Sequence, residues 1–177
     1  MTPPDQTTAP VIHEYFRLQF GQLHLSKTRK RSYTSLLQTE QAKNYSLVSK
    51  YFTSRNDIIP LIYDKQVLLE CLHTKDSIAY GTIRVHNCTF EKTVLDHLTI
   101  DDWQTTTNIK ATHSMNYPHD NTDTFVFQVV LPKSFNENAI TSSTPKRLLF
   151  AICLQAMNQE FWDNNQGWNY VLDVLEK

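Results

Sequence analysis

From Leu61 to the C-terminus, apolar and polar residues alternate in short runs separated by turn residues. Gln66 to Leu72 is one run, and Ile78 to His86 a second, with Ile83 and Val85 on one face. Lys92 to Ile100 follows, and then Asn108 to His113, where Ile109, Ala111 and His113 share a side. Thr124 to Leu131 alternates through Phe125, Phe127, Val129 and Leu131. Arg147 to Leu154 and Trp168 to Leu175 complete the series. Period-two alternation gives each strand one buried and one solvated face. About seven such strands, with no helical pattern between them, predict an all-β antiparallel sandwich. Lys133 to Pro145, rich in Ser, Thr and Asn, reads as an exposed connection.

Upstream of residue 60 the pattern fades, and Ser, Thr, Gln, Lys and Arg dominate. Two apolar clusters stand out, Val11 to Phe20 and Leu47 to Phe52. Apolar spacing over Thr34 to Lys50 supports a helix only weakly. The organisation expected is an irregular, polar N-terminal tail over 1–59, with short partner-docking motifs, and a sandwich module over 60–177.

Bulk properties then narrow the function. A chain of 177 residues suffices for one cored domain plus a tail. Its net charge of −1 supplies no basic patch for nucleic acid. No apolar run approaches the ~20 residues of a membrane span. Met1 to Pro10 lacks an apolar signal core, so a cytoplasmic location is expected. Cys71, Cys88 and Cys153 are odd in number and form no Cys-x-x-Cys pair, which points to reduced thiols. No histidine has ligand spacing to a cysteine, so neither metal nor cofactor is expected. Catalysis on glycans requires facing carboxylates. Asp101 and Asp102 are neighbours that would point to opposite sides of a strand, and Glu91, Glu160 and Asp163 are isolated. The reading is therefore non-enzymatic.

The richest chemistry lies in Trp162-Asp163-Asn164-Asn165-Gln166-Gly167-Trp168-Asn169-Tyr170. Flat aromatics alternate there with primary amides, each a donor and an acceptor. A pyranose ring has an apolar face that packs on such rings and a girdle of hydroxyls that needs fixed polar partners. Asn-Asn-x-Gly is also a turn signal, because Asn and Gly tolerate positive φ.

Several segments in order resemble carbohydrate-binding module family 21. These are the starch- and glycogen-binding domains of glycogen-targeting subunits of type-1 protein phosphatase and of some fungal glucoamylases. The segments are Val67 to Glu70, Gly81 to Lys92, Asp101-Asp102-Trp103, Asp123 to Phe127, Leu149 to Cys153 and Trp162 to Tyr170. The resemblance implies an immunoglobulin-like β-sandwich over about residues 60 to 177. It implies glycogen or a related α-glucan as ligand, with Trp103, Trp162, Asn164 and Asn169 as contacts. Tyr170 joins them by motif, although its phase with Leu172 and Val174 fits core packing equally well. Trp168 either widens the platform or covers the sandwich edge. Asp163 fits a turn cap better than a sugar contact. A second site of some members falls on Asn87, Phe90 and Lys92, with Phe90 either a sugar contact or a buried turn anchor.

The absence of a signal core and of a catalytic domain favours the phosphatase-targeting branch. That branch implies association with glycogen particles, the type-1 phosphatase catalytic subunit as partner, and glycogen synthase as a further one. Its docking peptide, basic–Val/Ile–x–Phe, is met most nearly by Arg17-Leu18-Gln19-Phe20, placing contacts at Arg17, Leu18 and Phe20. The alternative is a free-standing α-glucan-binding module without a phosphatase partner.

Overall fold

The computed structural model describes residues 45–55, 57–131 and 147–177. The chain divides into two units, Met1–Gln38 and Thr39–Lys177, and every described residue belongs to the second. In chain order the elements are β1 (Tyr45–Val48), α1 (Ile59–Lys65), β2 (Val67–Lys75), β3 (Ile78–His86), β4 (Lys92–Thr99) and β5 (Thr107–Lys110). Then come β6 (Thr112–Tyr117), β7 (Thr122–Val130), β8 (Arg147–Ala156), β9 (Gln159–Asp163) and β10 (Tyr170–Glu176).

All pairings are antiparallel and form two sheets. One runs β1-β10-β8-β4-β5, with β9 also on β8; the other runs β2-β3-β7-β6. Alternation sends Val94, Phe150, Ile152, Leu154 and Leu172 of the first sheet into a shared core with Leu69, Ile83, Val85, Phe127 and Val129 of the second. The expected immunoglobulin-like sandwich is thus the observed fold, and β3 spans the residues expected of it.

Four features depart from the sequence reading. Tyr45–Val48, assigned to the tail by composition, pairs with β10 and buries Tyr45 and Leu47. Here burial against an existing sheet edge outweighs a polar neighbourhood. The Asn108 to His113 run is two strands: β5 pairs with β4, and β6 crosses to β7. The switch occurs at buried Ala111, whose N–H donates to Val94 O at 2.9 Å. A small side chain lets the corner pass close to the core. Helix α1 is only seven residues, too short for a periodic signal; it carries Pro60 in its first turn and packs Ile62 on Ile58 and Leu68. Strand β9 folds back on β8 through Met157 and Asn158, both at positive φ, the backbone of a tight hairpin turn.

The feature that positions the candidate site is a broken strand. Both β9 and β10 pair with the same edge of β8, Asp163 opposite Ile152 and Tyr170 opposite Phe150. Residues 164–169 are therefore extruded beside Ala151 alone. Buried Asp163 fixes the start of this excursion. Its Oδ2 accepts from Leu69 N–H of the other sheet at 2.7 Å and from the Tyr170 hydroxyl at 2.6 Å. Arg55 adds a guanidinium at 3.5 Å from the same oxygen and donates to the Tyr170 hydroxyl at 3.1 Å.

Candidate functional site

The extruded loop is held by its own amides. Asn169 N–H donates to Asn164 O at 2.8 Å, closing the base. Gly167 N–H donates to Asn164 Oδ1 at 3.0 Å, and Asn165 Nδ2 to Asn169 O at 3.1 Å. Asn165, Gln166, Gly167 and Asn169 all have positive φ, which asparagine and glycine tolerate. Asp163 Oδ1 accepts from Asn165 N–H at 3.3 Å, a turn-capping bond. Asn164 thus builds the loop, and its exposed amide remains at the surface.

Trp162 lies on the outer face of the six-stranded sheet, opposite Cys153 in the register. Its ring packs on His97 of β4 with centroids 4.8 Å apart. Burial lowers the His97 pKa, and His97 Nε2 is enclosed without a hydrogen-bond partner. A neutral imidazole is therefore what the indole packs against, the two rings tilted by 46°. Cys153, buried in the same row, is pushed up to about 11 by burial and by Glu160, so its thiol stays protonated.

Trp103 arrives from the β4–β5 turn. Asp101 organises that turn, accepting from Thr105 N–H at 2.8 Å, Thr105 Oγ1 at 2.7 Å and Thr99 Oγ1 at 2.8 Å. These bonds hold its carboxyl below the usual range, the Thr105 hydroxyl contributing most. Trp103 N–H donates to Thr99 Oγ1 at 3.0 Å. Asp102 and Trp103 sit at φ of 53° and 68°. Two consecutive left-handed residues, one of them bulky, are uncommon and mark a turn held by its surroundings. Thr99 and His97 share a face of β4 two positions apart. The anchor of Trp103 and the row of Trp162 are separated by four residues of β4, ~13 Å. Both indoles are part-exposed, Trp103 at 37% and Trp162 at 46%. The outer face thus carries the Trp162 indole, with the amide loop following it, and a second part-exposed indole stands at the β4–β5 turn.

Tyr170, counted among the sugar contacts by motif, is a core residue. It is 2% exposed, stacks on Phe150 at 5.1 Å and meets Phe52 edge-on at 5.7 Å. Burial first, then Asp163, raises its hydroxyl far above an ordinary phenol. It offers no face to a sugar and instead supports the loop from beneath.

The Asn87–Lys92 turn stands at the other end of β4, seven residues or ~23 Å from Thr99. Lys92 is enclosed, with Nζ bonded to Asn87 Oδ1, Thr89 O and Asp123 Oδ2. Two of its three donors serve the turn, and the third ties the turn to Asp123 of β7. Phe90 is displayed at 97% exposure, so it is not a buried anchor. Beside the turn, an open groove of about 500 Å³ runs to the β8–β9 hairpin. The docking candidates Arg17, Leu18 and Phe20 lie outside the described residues.

Sequence reasoning missed His97, Thr99 and Arg55. Their roles depend on cross-strand register, which no local motif records. Among the described residues no cluster of three or more His, Cys, Asp or Glu side chains could hold a metal. All three cysteines are free thiols.

The pattern of the Carbohydrate/starch-binding module (family 21) matches residues 62–173. The chain belongs to this family. Among relatives of this module, Protein phosphatase 1 regulatory subunit 3B-B of Xenopus laevis is 39% identical over 105 residues, 59% of this chain and 36% of that protein. Protein phosphatase 1 regulatory subunit 3C of Rattus norvegicus is 34% identical, over 59% of this chain and 31% of its own length. The chain spans about a third of the length of these curated relatives. The solved carbohydrate binding module of the muscle glycogen-targeting subunit of Protein Phosphatase-1 superposes with a TM-score of 0.55 at 28% identity. That match covers 78% of this chain and 98% of the solved module. Family 21 membership thus agrees with the fold.

Proposed function

We propose that this chain is a non-catalytic glycogen-binding regulatory subunit that holds type-1 protein phosphatase on glycogen. The observation that carries the reading is Trp162, exposed and backed by neutral His97, beside an amide loop on a family 21 sandwich. The names of the relatives support the phosphatase half. Trp103 and Trp162 stack on sugar faces, while Asn164 and Asn169 bond hydroxyls. Each stacked ring contributes ~1 kcal/mol and each hydrogen bond about as much. One site then binds in the micromolar-to-millimolar range. Branched glycogen raises occupancy by presenting many chain ends. Phe90 gives a second contact at the far end of β4, on a turn built by Asn87 and Lys92. The nearby acids serve structure rather than chemistry: Asp101 ties the Trp103 turn, and Asp163 ties the loop. The complex resides in the cytoplasm on glycogen particles, where the phosphatase acts on glycogen synthase.

The test is retention of purified type-1 phosphatase catalytic subunit on glycogen beads. The full chain should retain it, and Phe20→Ala should release it while staying on the beads itself. Undiminished retention by Phe20→Ala removes Arg17, Leu18 and Phe20 as the docking peptide. A second reading, a free-standing α-glucan-binding module, is favoured by Leu18 standing where the docking pattern has Val or Ile. Glycogen binding with no phosphatase retention by the unaltered chain would establish it.

A further inference from the structure

We propose a further glucan contact on this chain: a cleft between Tyr51 and Trp168 that takes one glucosyl unit. It rests on the glucan-binding reading above and extends it to Tyr51 and Trp168.

The cleft has a volume of about 180 Å³, the scale of a single sugar ring rather than of a drug-sized ligand. Trp168 forms one wall and Tyr51 another, with Asn165, Asn169 and Val171 between them. Trp168 is 82% exposed and Tyr51 69%, more than either Trp103 or Trp162. Two large aromatics held in water around one hollow are what a carbohydrate subsite presents. No charged residue lines the hollow, which selects a neutral ligand, and two asparagines bring primary amides for hydroxyl groups.

The hollow is preformed. Tyr170, behind it, is fixed in the core by Phe52, Phe150 and the bond to Asp163. Trp168 N–H donates to Asn165 O at 3.2 Å, and the loop base closes at Asn169 N–H to Asn164 O. Little ordering is left for a ligand to impose.

Position identifies the occupant. Thr99, Leu149 and Val171 form one row across β4, β8 and β10, spanning ~10 Å. Thr99 holds Trp103 and Val171 lines the cleft, so a glucan lying on Trp103 continues over this row towards Trp168. Tyr51 precedes the matched stretch 62–173.

The experiment follows the indole N–H signals of the full chain, which has three tryptophans, during a maltoheptaose titration. Single Trp→Phe variants assign the signals. The Trp168 signal should shift together with those of Trp103 and Trp162. Trp168→Ala and Tyr51→Ala should each weaken maltoheptaose binding about threefold to tenfold and leave thermal unfolding unchanged, since both side chains face solvent. The loss should be smaller with maltose, which is too short to bridge the row. Saturation of the Trp162 signal with Trp168 unmoved would overturn the cleft and leave the glucan reading standing. If none of the three signals moves, the glucan reading itself falls. A Trp168 shift produced only by a protein partner would also overturn the proposal.

Discussion

Two adjacent side chains on β4 make opposite demands on pH. Asp96 points into the core between Ile109 and Ile152, and neither carboxylate oxygen has a partner. Burial pushes its pKa well above the usual carboxylate range. The folded protein therefore binds this proton more tightly than the unfolded chain, whose aspartate titrates near ~3.9. The contribution to stability is complete below that value and declines as pH rises towards the folded pKa. Asp96→Leu, similar in shape and without an orphaned acid, should stabilise the domain at pH 7 by ~1–3 kcal/mol. It should also flatten the decline, as thermal unfolding across pH 4 to 8 would record. A lower melting temperature for Asp96→Leu at pH 7 would contradict this placement of Asp96. His97 works the other way, because burial depresses its pKa. Below ~6.5 the unfolded chain takes the proton first, so stability falls as pH drops through that window. His97→Phe keeps a ring packed against Trp162 and should remove that part of the acid loss. An unchanged difference between pH 7 and pH 5.5 would mean that His97 is not enclosed as described.

Among the elements, β3 and β7 depend on one close approach. A Cβ on Gly81 would lie 2.0 Å from the Phe127 ring, so Gly81→Ala forces Phe127 out of place. Overpacking of this kind costs about 1–3 kcal/mol, measurable in urea unfolding. A neutral result would show that Phe127 has room to move. Strands such as β3 were legible because turn residues bracket a clean alternation. The β5–β6 pair read as one run because Ala111 switches sheets without a glycine or proline to mark it. Strand β1 has four residues and α1 seven, too few for either period to declare itself. The break between β9 and β10 was legible only as turn chemistry. That both strands share an edge of β8, so that the loop stands beside the sheet face, is a property of register.

At the scale of the whole molecule, the proposed glucan contacts are weak and spread along the six-stranded sheet and its ends. Trp162 lies on that sheet's outer face, Trp103 at the β4–β5 turn, the Tyr51–Trp168 cleft beside the loop, and Phe90 at the far end of β4. Contacts of ~1–2 kcal/mol each become useful only when a polymer engages several at once. Trp162, Asn164 and Asn169 could be singled out from sequence because aromatics and amides alternate in one segment. Tyr170 shares that segment yet faces the core, because position 170 resumes the alternation of β10. The supports, His97 and Thr99, come from a different strand and become visible only in three dimensions. The central claim, that Trp103 and Trp162 hold glucan, is tested most directly by co-sedimentation with glycogen. The wild-type chain should pellet with glycogen. Trp103→Ala/Trp162→Ala, folded by its unfolding curve, should lose at least tenfold in affinity, about 1.4 kcal/mol. Equal sedimentation of the two proteins would contradict the account.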